Sequence, residues 1–536
     1  MSENSTSTTR GFAILSIAGI LSKLLSLLYV PMLQSIIGIE GYGIYAKTYE
    51  IFVFFYALTN LGMQTAIAKY VSELTTLGQH KDAVRTFKIA RTLLLIVGTI
   101  ITVILMVSAD YVSIKSKNPN IVYGLMTLAP AVAITSVLCA YRGYFQGKNL
   151  MTPLAISTVL EQFFNVFVSL ICAAFLIKYG VNLGSAGGTI GTSVGALLAV
   201  YFLIYVYYKK RLDREAYKID KSKKRTRNSV IIKKLIMYGF PITLSAGLQN
   251  LGALIDMFIV NARLLSAGFN HKEADILYGV LGFYKNLLYV PLIIITALAT
   301  AILPIITKSY VLKDRKGIKD NLIFTIRISF TVAIPAALAL SMLSKEVYTV
   351  LFNTIEGNEL MLYGSIVVVF MAMVQIQSTV LQSINKFYFL LVSLSIGIIL
   401  KIISNYILVG MYKINIYGAV LGGILCFLIP MLINHKKICS VLKIRISLIK
   451  LSLKPIISSL CMGLVLYGTK YIFNLLGFGG MRRFQEVIPL TVLIILGGIT
   501  YLYVMIYLGG IRKREINALS PRLLRMLPKF MKKRLR

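Results

Sequence analysis

Long apolar runs separated by short polar connectors dominate this chain. A helix needs roughly 20 apolar residues to cross a bilayer, and about fourteen runs reach that length. The first six lie near 11–37, 46–72, 89–110, 121–142, 152–177 and 186–208. The other eight lie near 232–261, 276–307, 321–343, 360–383, 388–410, 416–434, 452–474 and 485–508. Between the two groups sits the densest charged stretch, KKRLDREAYKIDKSKKRTRNSVIIKK, at 209–234. The pattern predicts an all-α integral membrane protein, because helices satisfy their own backbone groups in hydrocarbon.

The runs also repeat. At an offset of about 235 residues, Tyr49-Glu50 falls on Tyr284-Lys285 and Thr65-Ala66-Ile67 on Thr300-Ala301-Ile302. At about 240, Leu160-Glu161 falls on Leu400-Lys401 and Asn165 on Asn405. Gly187 and Gly191 correspond in the same order to Gly418 and Gly422, a spacing that lets helices approach closely. The expected organisation is two pseudo-symmetric six-helix lobes, 1–208 and 232–436, joined by a basic cytoplasmic linker, 209–231. Two additional transmembrane helices follow at 437–510, then a basic cytoplasmic tail at 511–536. Six is an even number, so the repeats share one orientation about an axis along the membrane normal.

Composition agrees with this picture. Of the 536 residues 57% are hydrophobic and only 14% charged, against about 25% charged in soluble domains. The net charge of +37 is concentrated in alternate connectors and in the tail. That is a positive-inside pattern rather than a nucleic-acid surface, and it places both termini in the cytoplasm. The linker and tail suit anionic membrane lipids as well as a plain solvated role. The connector 344–359 on the opposite side is acidic, through Glu346, Glu356 and Glu359.

Cys139, Cys172, Cys426, Cys439 and Cys461 show no paired spacing, and the three histidines are dispersed. No metal site or cofactor is expected. No Gly-rich nucleotide loop, zinc-protease motif or nucleophilic triad is present, so an enzyme is disfavoured.

The remaining chemistry lies in charges within apolar segments, each of which costs several kcal/mol to insert. Lys23, Glu50, Lys69, Glu161, Asp256, Lys285 and Lys401 stand out, while Arg327 and Lys470 lie near segment ends where they can snorkel. Ser16, Gly19, Lys23, Ser26, Val30 and Gln34 share one face of the first helix. Two readings stay open: structural ion pairs between helices, such as Glu50 with Lys285, or a polar central cavity. The cationic excess among these charges favours an anionic ligand.

The opening TTRGFAILSIAGILSKLLSLLYVPMLQSIIGIEGYGIYA, then LGMQTAIAKYVSEL, ISTVLEQFFNVFVSL and DMFIVNARLL with ILYGVLGFYKNLLYVPLIIITALATAILPIIT, resemble the bacterial lipid-linked-sugar flippases. These are the lipid II flippase and stage V sporulation protein B group of the multidrug and polysaccharide exporter superfamily. The resemblance implies a flippase for an undecaprenyl-pyrophosphate-linked cell-wall precursor, working by alternating access in the bacterial cytoplasmic membrane. It implies head-group contact by Lys23, Lys69 and Lys285, with Glu50 and Glu161 arranging them. Lys23 stands where relatives often carry Arg. The last two helices would hold the lipid tail, and cell-wall synthesis enzymes would be partners. Asp256, Asn405, Lys401 and Glu161 are candidates for coupling to Na+, H+ or the membrane potential. Two rival functions are a cation-coupled multidrug exporter and a non-transporting envelope-synthesis scaffold.

Overall fold

The computed structural model describes residues 2–220, 225–475 and 485–510. The expected tail at 511–536 and residues 221–224 of the linker lie outside them. Among the described residues every regular element is helical. By the density of internal contacts the chain divides into two units, Met1–Gly282 and Phe283–Arg536.

The first unit holds α1 (Ser2–Tyr56), α2 (Gly62–Thr76), α3 (His80–Val107), α4 (Ala109–Lys115) and α5 (Val122–Gly147). It continues with α6 (Met151–Leu176), α7 (Val181–Lys209), α8 (Leu212–Ile219), α9 (Asn228–Ser266) and the first turns of α10 (His271–Val311). The second unit holds the rest of α10 and then α11 (Arg315–Met342), α12 (Ser344–Phe352), α13 (Asn358–Gly364) and α14 (Val367–Ser383). After these come α15 (Phe387–Ser404), α16 (Tyr417–Leu442), α17 (Leu448–Leu475) and α18 (Val487–Tyr507).

Among the described residues, twelve helical segments are long and apolar enough to cross a membrane. The first of them, Leu21–Thr76, has 56 residues. At 1.5 Å per residue a straight helix of that length would reach about 84 Å, far beyond the ~30 Å of hydrocarbon. It is broken at Gly38, whose φ of 74° and ψ of 177° suit only a residue without Cβ. The break separates the runs expected at 11–37 and 46–72. The second of these passes through a π-helical turn at Ala57–Leu61 before α2. α13 and α14, bent by 56° at their junction, are together long and apolar enough for a broken span or a re-entrant loop. Every apolar run in the sequence therefore has its helix, and the chain is a multi-pass membrane protein.

Close helix crossings in the first unit depend on glycine. A Cβ on Gly191 would lie 2.1 Å from the Asn165 carbonyl oxygen, and one on Gly195 would lie 2.4 Å from that of Glu161, so α6 and α7 nearly touch. In the second unit Gly418 meets Leu408 and Val409, and Gly422 meets the Asn405 side chain. The paired glycines thus seat matching helices at matching asparagines, as the repeat in the sequence predicts. α9 and the first turns of α10, grouped with the second lobe on sequence, here pack with α1 and α2.

The linker is pinned by its few acids. Asp220 accepts the Lys81 backbone N–H at 2.9 Å, capping the start of α3 from a distance in sequence. Asp213 pairs with Lys88 at 3.1 Å and accepts from Tyr207. In return Asp82 on α3 accepts from Thr226 through its N–H at 2.9 Å and its hydroxyl at 2.7 Å. Phe87, Tyr141, Tyr144 and Tyr207 pack beneath, with Phe87 to Tyr144 centroids 4.7 Å apart. We refer to this as the linker end of the first unit.

In the second unit α17 and α18 close on α11. Met462, Leu466, Leu490, Leu493, Tyr501 and Met505 are buried together, and the Tyr501 hydroxyl donates to the Thr331 carbonyl at 2.8 Å. Lys470 bridges to Glu346 at 2.7 Å and donates to the Met342 carbonyl at 2.9 Å. It is thereby fixed in place rather than simply snorkelling.

Candidate functional site

The first unit contains an ion pair deep in its helical interior. Arg142 on α5 faces Glu161 on α6, with Nη2 2.7 Å from the carboxylate. Its Nε donates to the Ser157 hydroxyl at 3.2 Å. Ser157 and Glu161 are one helical turn apart, so α6 presents both to the same guanidinium. The Arg142 side chain is 10% exposed and that of Glu161 is 23% exposed, so the carboxylate is the member open to exchange.

Sequence reasoning missed Arg142. The run at 121–142 was expected to end there, with 142–148 a connector. α5 instead continues to Gly147, which turns a connector residue into a buried one. Small residues make this extension fit: a Cβ on Gly143 would lie 2.9 Å from the Gln64 carbonyl oxygen, and one on Gly147 would lie 2.7 Å from that of Ala68. The alternation of Arg142 with glycines at Gly143 and Gly147 was the available signal.

A track of aromatic rings on α1 leads toward this pair. Tyr42, Tyr45, Tyr49, Phe52 and Tyr56 follow at three- and four-residue steps, with successive centroids 5.5–5.9 Å apart. Tyr49 and Tyr56 are only half-buried, and the Glu161 charge acts on both hydroxyls. Ser22 donates to the Thr158 carbonyl at 3.3 Å, holding the first half of α1 against α6. Below the pair, Asn60 in the π-helical turn donates to Thr135 at 3.1 Å, and Cys139 donates to the Asn60 carbonyl. The Asn60 Oδ1 is buried without a hydrogen-bond partner, as an inward-facing polar wall would leave it.

The other residues singled out from the sequence are distributed as follows. Lys23 is exposed on α1, and Glu50 is half-buried and accepts from the Tyr278 hydroxyl. Lys69 is exposed and lies 4.1 Å above the Tyr238 ring at the linker end, where Tyr238 and Lys234 both hold Glu73. Asp256 on α9 is buried. In the second unit Lys285 is half-buried, whereas Lys401 and Asn405 are buried together against Gly422. The structure thus joins Glu161 to Arg142, and Lys401 to Asn405, and sets Lys69 with the linker-end residues. Among the described residues no group of three or more His, Cys, Asp or Glu is arranged to hold a metal ion.

Among the described residues the fold is helical and multi-pass with polar groups in the bundle interior, an architecture that membrane transporters use. The chain belongs to the polysaccharide biosynthesis protein family, whose sequence pattern matches residues 8–310. It is 24% identical to the lipid II flippase MurJ of Bacillus subtilis (strain 168) over 525 residues, covering 94% of this chain and 96% of that one. It is also 24% identical to stage V sporulation protein B of the same organism, covering 84% and 87%. Among solved structures, lipid II flippase MurJ in an inward closed conformation matches with a TM-score of 0.62 at 16% identity, covering 92% of this chain and 98% of that one. An inward-facing multidrug resistance MATE family transporter of the MOP superfamily matches with 0.66 at 18% identity, covering 78% and 95%. The two likenesses establish the fold.

Proposed function

We propose that the protein is a flippase. Its substrate is an undecaprenyl-pyrophosphate-linked saccharide, lipid II or a related precursor, moved across the bacterial cytoplasmic membrane by alternating access. The observation that carries this reading is the Arg142–Glu161 pair: a guanidinium held by Ser157 on one side and by an exchangeable carboxylate on the other. A diphosphate presents oxygens that match the planar guanidinium fork, and it can displace Glu161 from it. Tyr49 and Tyr56 offer flat faces and hydroxyls beside the same point, which suit a sugar. Lys23 adds a cationic contact to the head group, Glu50 helps to arrange it, and Lys69 meets anionic groups at the linker end; Lys285 is a further cationic candidate within the second unit. Asp256, Lys401 and Asn405 are assigned to coupling, through ion binding or the membrane potential.

Family membership and the length shared with the B. subtilis flippase support the substrate class. The Lys/Arg bias supports placing both termini, the linker and its attached anionic lipids at the cytoplasmic face. The work is translocation, so no bond is made or broken. Depleting the protein should cause a lipid-linked saccharide to accumulate on the inner leaflet, and Arg142→Ala should fail to restore its export. Normal export by that variant at normal expression refutes the assignment of Arg142. A cation-coupled drug exporter is the second reading, favoured by the MATE-family likeness and by buried Asp256. It predicts drug resistance on overexpression with no precursor phenotype.

A further inference from the structure

Arg142 stands between two uncharged rungs that join α5 to the helical run of α1 and α2. Thr135, Cys139, Arg142 and Gln146 follow at three- and four-residue steps on α5 and so share one face. Across from them Tyr56, Asn60 and Gln64 follow at four-residue steps through the π-helical turn into α2. The first rung is the contact of Asn60 with Thr135 and Cys139. The second is the Gln64 Nε2 donating to the Gln146 Oε1 at 3.2 Å. It lies nearer the linker end, where Lys148 touches His80 at the start of α3 at 3.2 Å. Both glutamines are half-buried. Arg142 takes its own partners from α6, so along this seam the guanidinium has a carboxamide rung on either side.

The glutamine rung is not needed to bring α2 and α5 together. Gly143 and Gly147 already let the two backbones touch, at the Gln64 and Ala68 carbonyl oxygens. The side chains are therefore free to serve a ligand. A primary carboxamide carries two N–H donors and an oxygen that can accept twice. The rung engages one donor of Gln64 and the oxygen of Gln146. On the other side of Arg142 the Asn60 Oδ1 is buried without a hydrogen-bond partner. Groups of this kind suit a ligand that donates and accepts from neighbouring atoms, as a sugar hydroxyl or an acetamido group does. A diphosphate only accepts and leaves the carboxamide oxygens unanswered. A sugar carboxylate also only accepts, and it would meet the Glu161 charge besides.

We propose that Gln64 and Gln146, with Asn60 on the far side of Arg142, are specificity-determining residues that select a neutral sugar bearing hydroxyl or acetamido groups. The assignment rests on the flippase reading and adds the saccharide to it: Arg142 takes the diphosphate, and the carboxamides read the sugar beside it. A site built to hydrogen-bond a ligand discriminates against an analogue lacking those groups, because its own polar groups are then left unpaired.

The test compares two ligands on the full-length protein in lipid nanodiscs: a polyprenyl pyrophosphate, and the same lipid carrying N-acetylglucosamine. Affinity is read by displacement of a fluorescent polyprenyl pyrophosphate. The wild-type protein should hold the sugar-bearing lipid about tenfold more tightly than the bare one, the effect of one or two net hydrogen bonds. In Gln64→Met and in Gln146→Met that preference should vanish. Gln64→Met with Gln146→Met replaces both partners of the rung by apolar groups of similar shape, so it keeps the test open if a single variant fails to fold. A rung that merely joined two helices would leave the ratio of the two affinities unmoved. A preference unchanged in the folded variants overturns the assignment, and so does a wild-type protein that binds both lipids equally. Arg142→Ala tests the underlying reading by itself, and should weaken both lipids. Wild-type protein that binds neither lipid, or Arg142→Ala that binds both as wild type does, overturns the flippase reading and the sugar assignment with it.

Discussion

Arg142 and Glu161 are not equally buried, and that asymmetry sets the cost of removing each. Glu161→Ala leaves a guanidinium in the less hydrated position, whereas Arg142→Ala leaves a carboxylate that water can partly reach. Both changes should destabilise the protein, by about 1–3 kcal/mol, with Glu161→Ala the costlier. Thermal unfolding of the two purified variants checks the order, and a reversed order contradicts the orientation of the pair described here. At this scale the sequence was only partly legible. Glu161 was visible because it lies in the middle of an apolar run. Arg142 was not, because a shift of a few residues in where α5 ends decides whether it is a connector or an interior residue. Lys47 and Asp275 escaped for the same reason, each lying at the edge of an expected helix. Hydropathy locates the centre of a helix well and its ends poorly.

At the scale of helices, close approaches should be far less tolerant than open faces. Gly43→Ala must displace the backbone of α10, at a cost of about 3 kcal/mol or more. Gly423→Ala on α16 meets nothing within 4 Å and should be neutral, or stabilising by up to about 1 kcal/mol through helix propensity. Expression and unfolding temperature of the two variants distinguish these outcomes. A second element-scale prediction concerns the entry to α18. Burial, with the Glu346 carboxylate next in weight, pushes the Glu486 carboxyl up from its ordinary value, although Lys345 and Lys470 partly oppose this. A carboxyl raised on folding favours the fold at low pH and loses that contribution as pH rises through its folded pKa. Glu486→Gln should therefore be more stable than the parent at neutral pH, and the gap should close toward about pH 4. An unfolding temperature that is unchanged at neutral pH contradicts this. The helices themselves, their order and the glycine pairing at 187–191 and 418–422 were all legible in the sequence. Long apolar runs and small-residue spacing are local signals, and local signals survive without coordinates.

The first unit holds a buried ion pair between Lys47 and Asp275, a second charge pair between Arg142 and Glu161, and a linker pinned by its acids. The polar track of α1 connects the first two, from Tyr42 and Lys47 to Tyr49 and Tyr56. Such an arrangement supplies what a diphosphate-linked sugar requires, a polar interior for the head group beside apolar outer faces for the lipid. Sequence periodicity could not bring Lys47, Asn118, Asn261 and Asp275 together, because they come from separate elements joined only by folding. The most direct measurement of the central claim uses membrane vesicles loaded with a lipid-linked saccharide on one leaflet. Its arrival on the other leaflet is followed with the wild-type protein and with Arg142→Ala. The account predicts transfer that depends on the protein and is lost with Arg142→Ala. Transfer at equal rates with wild-type, variant and empty vesicles would contradict it.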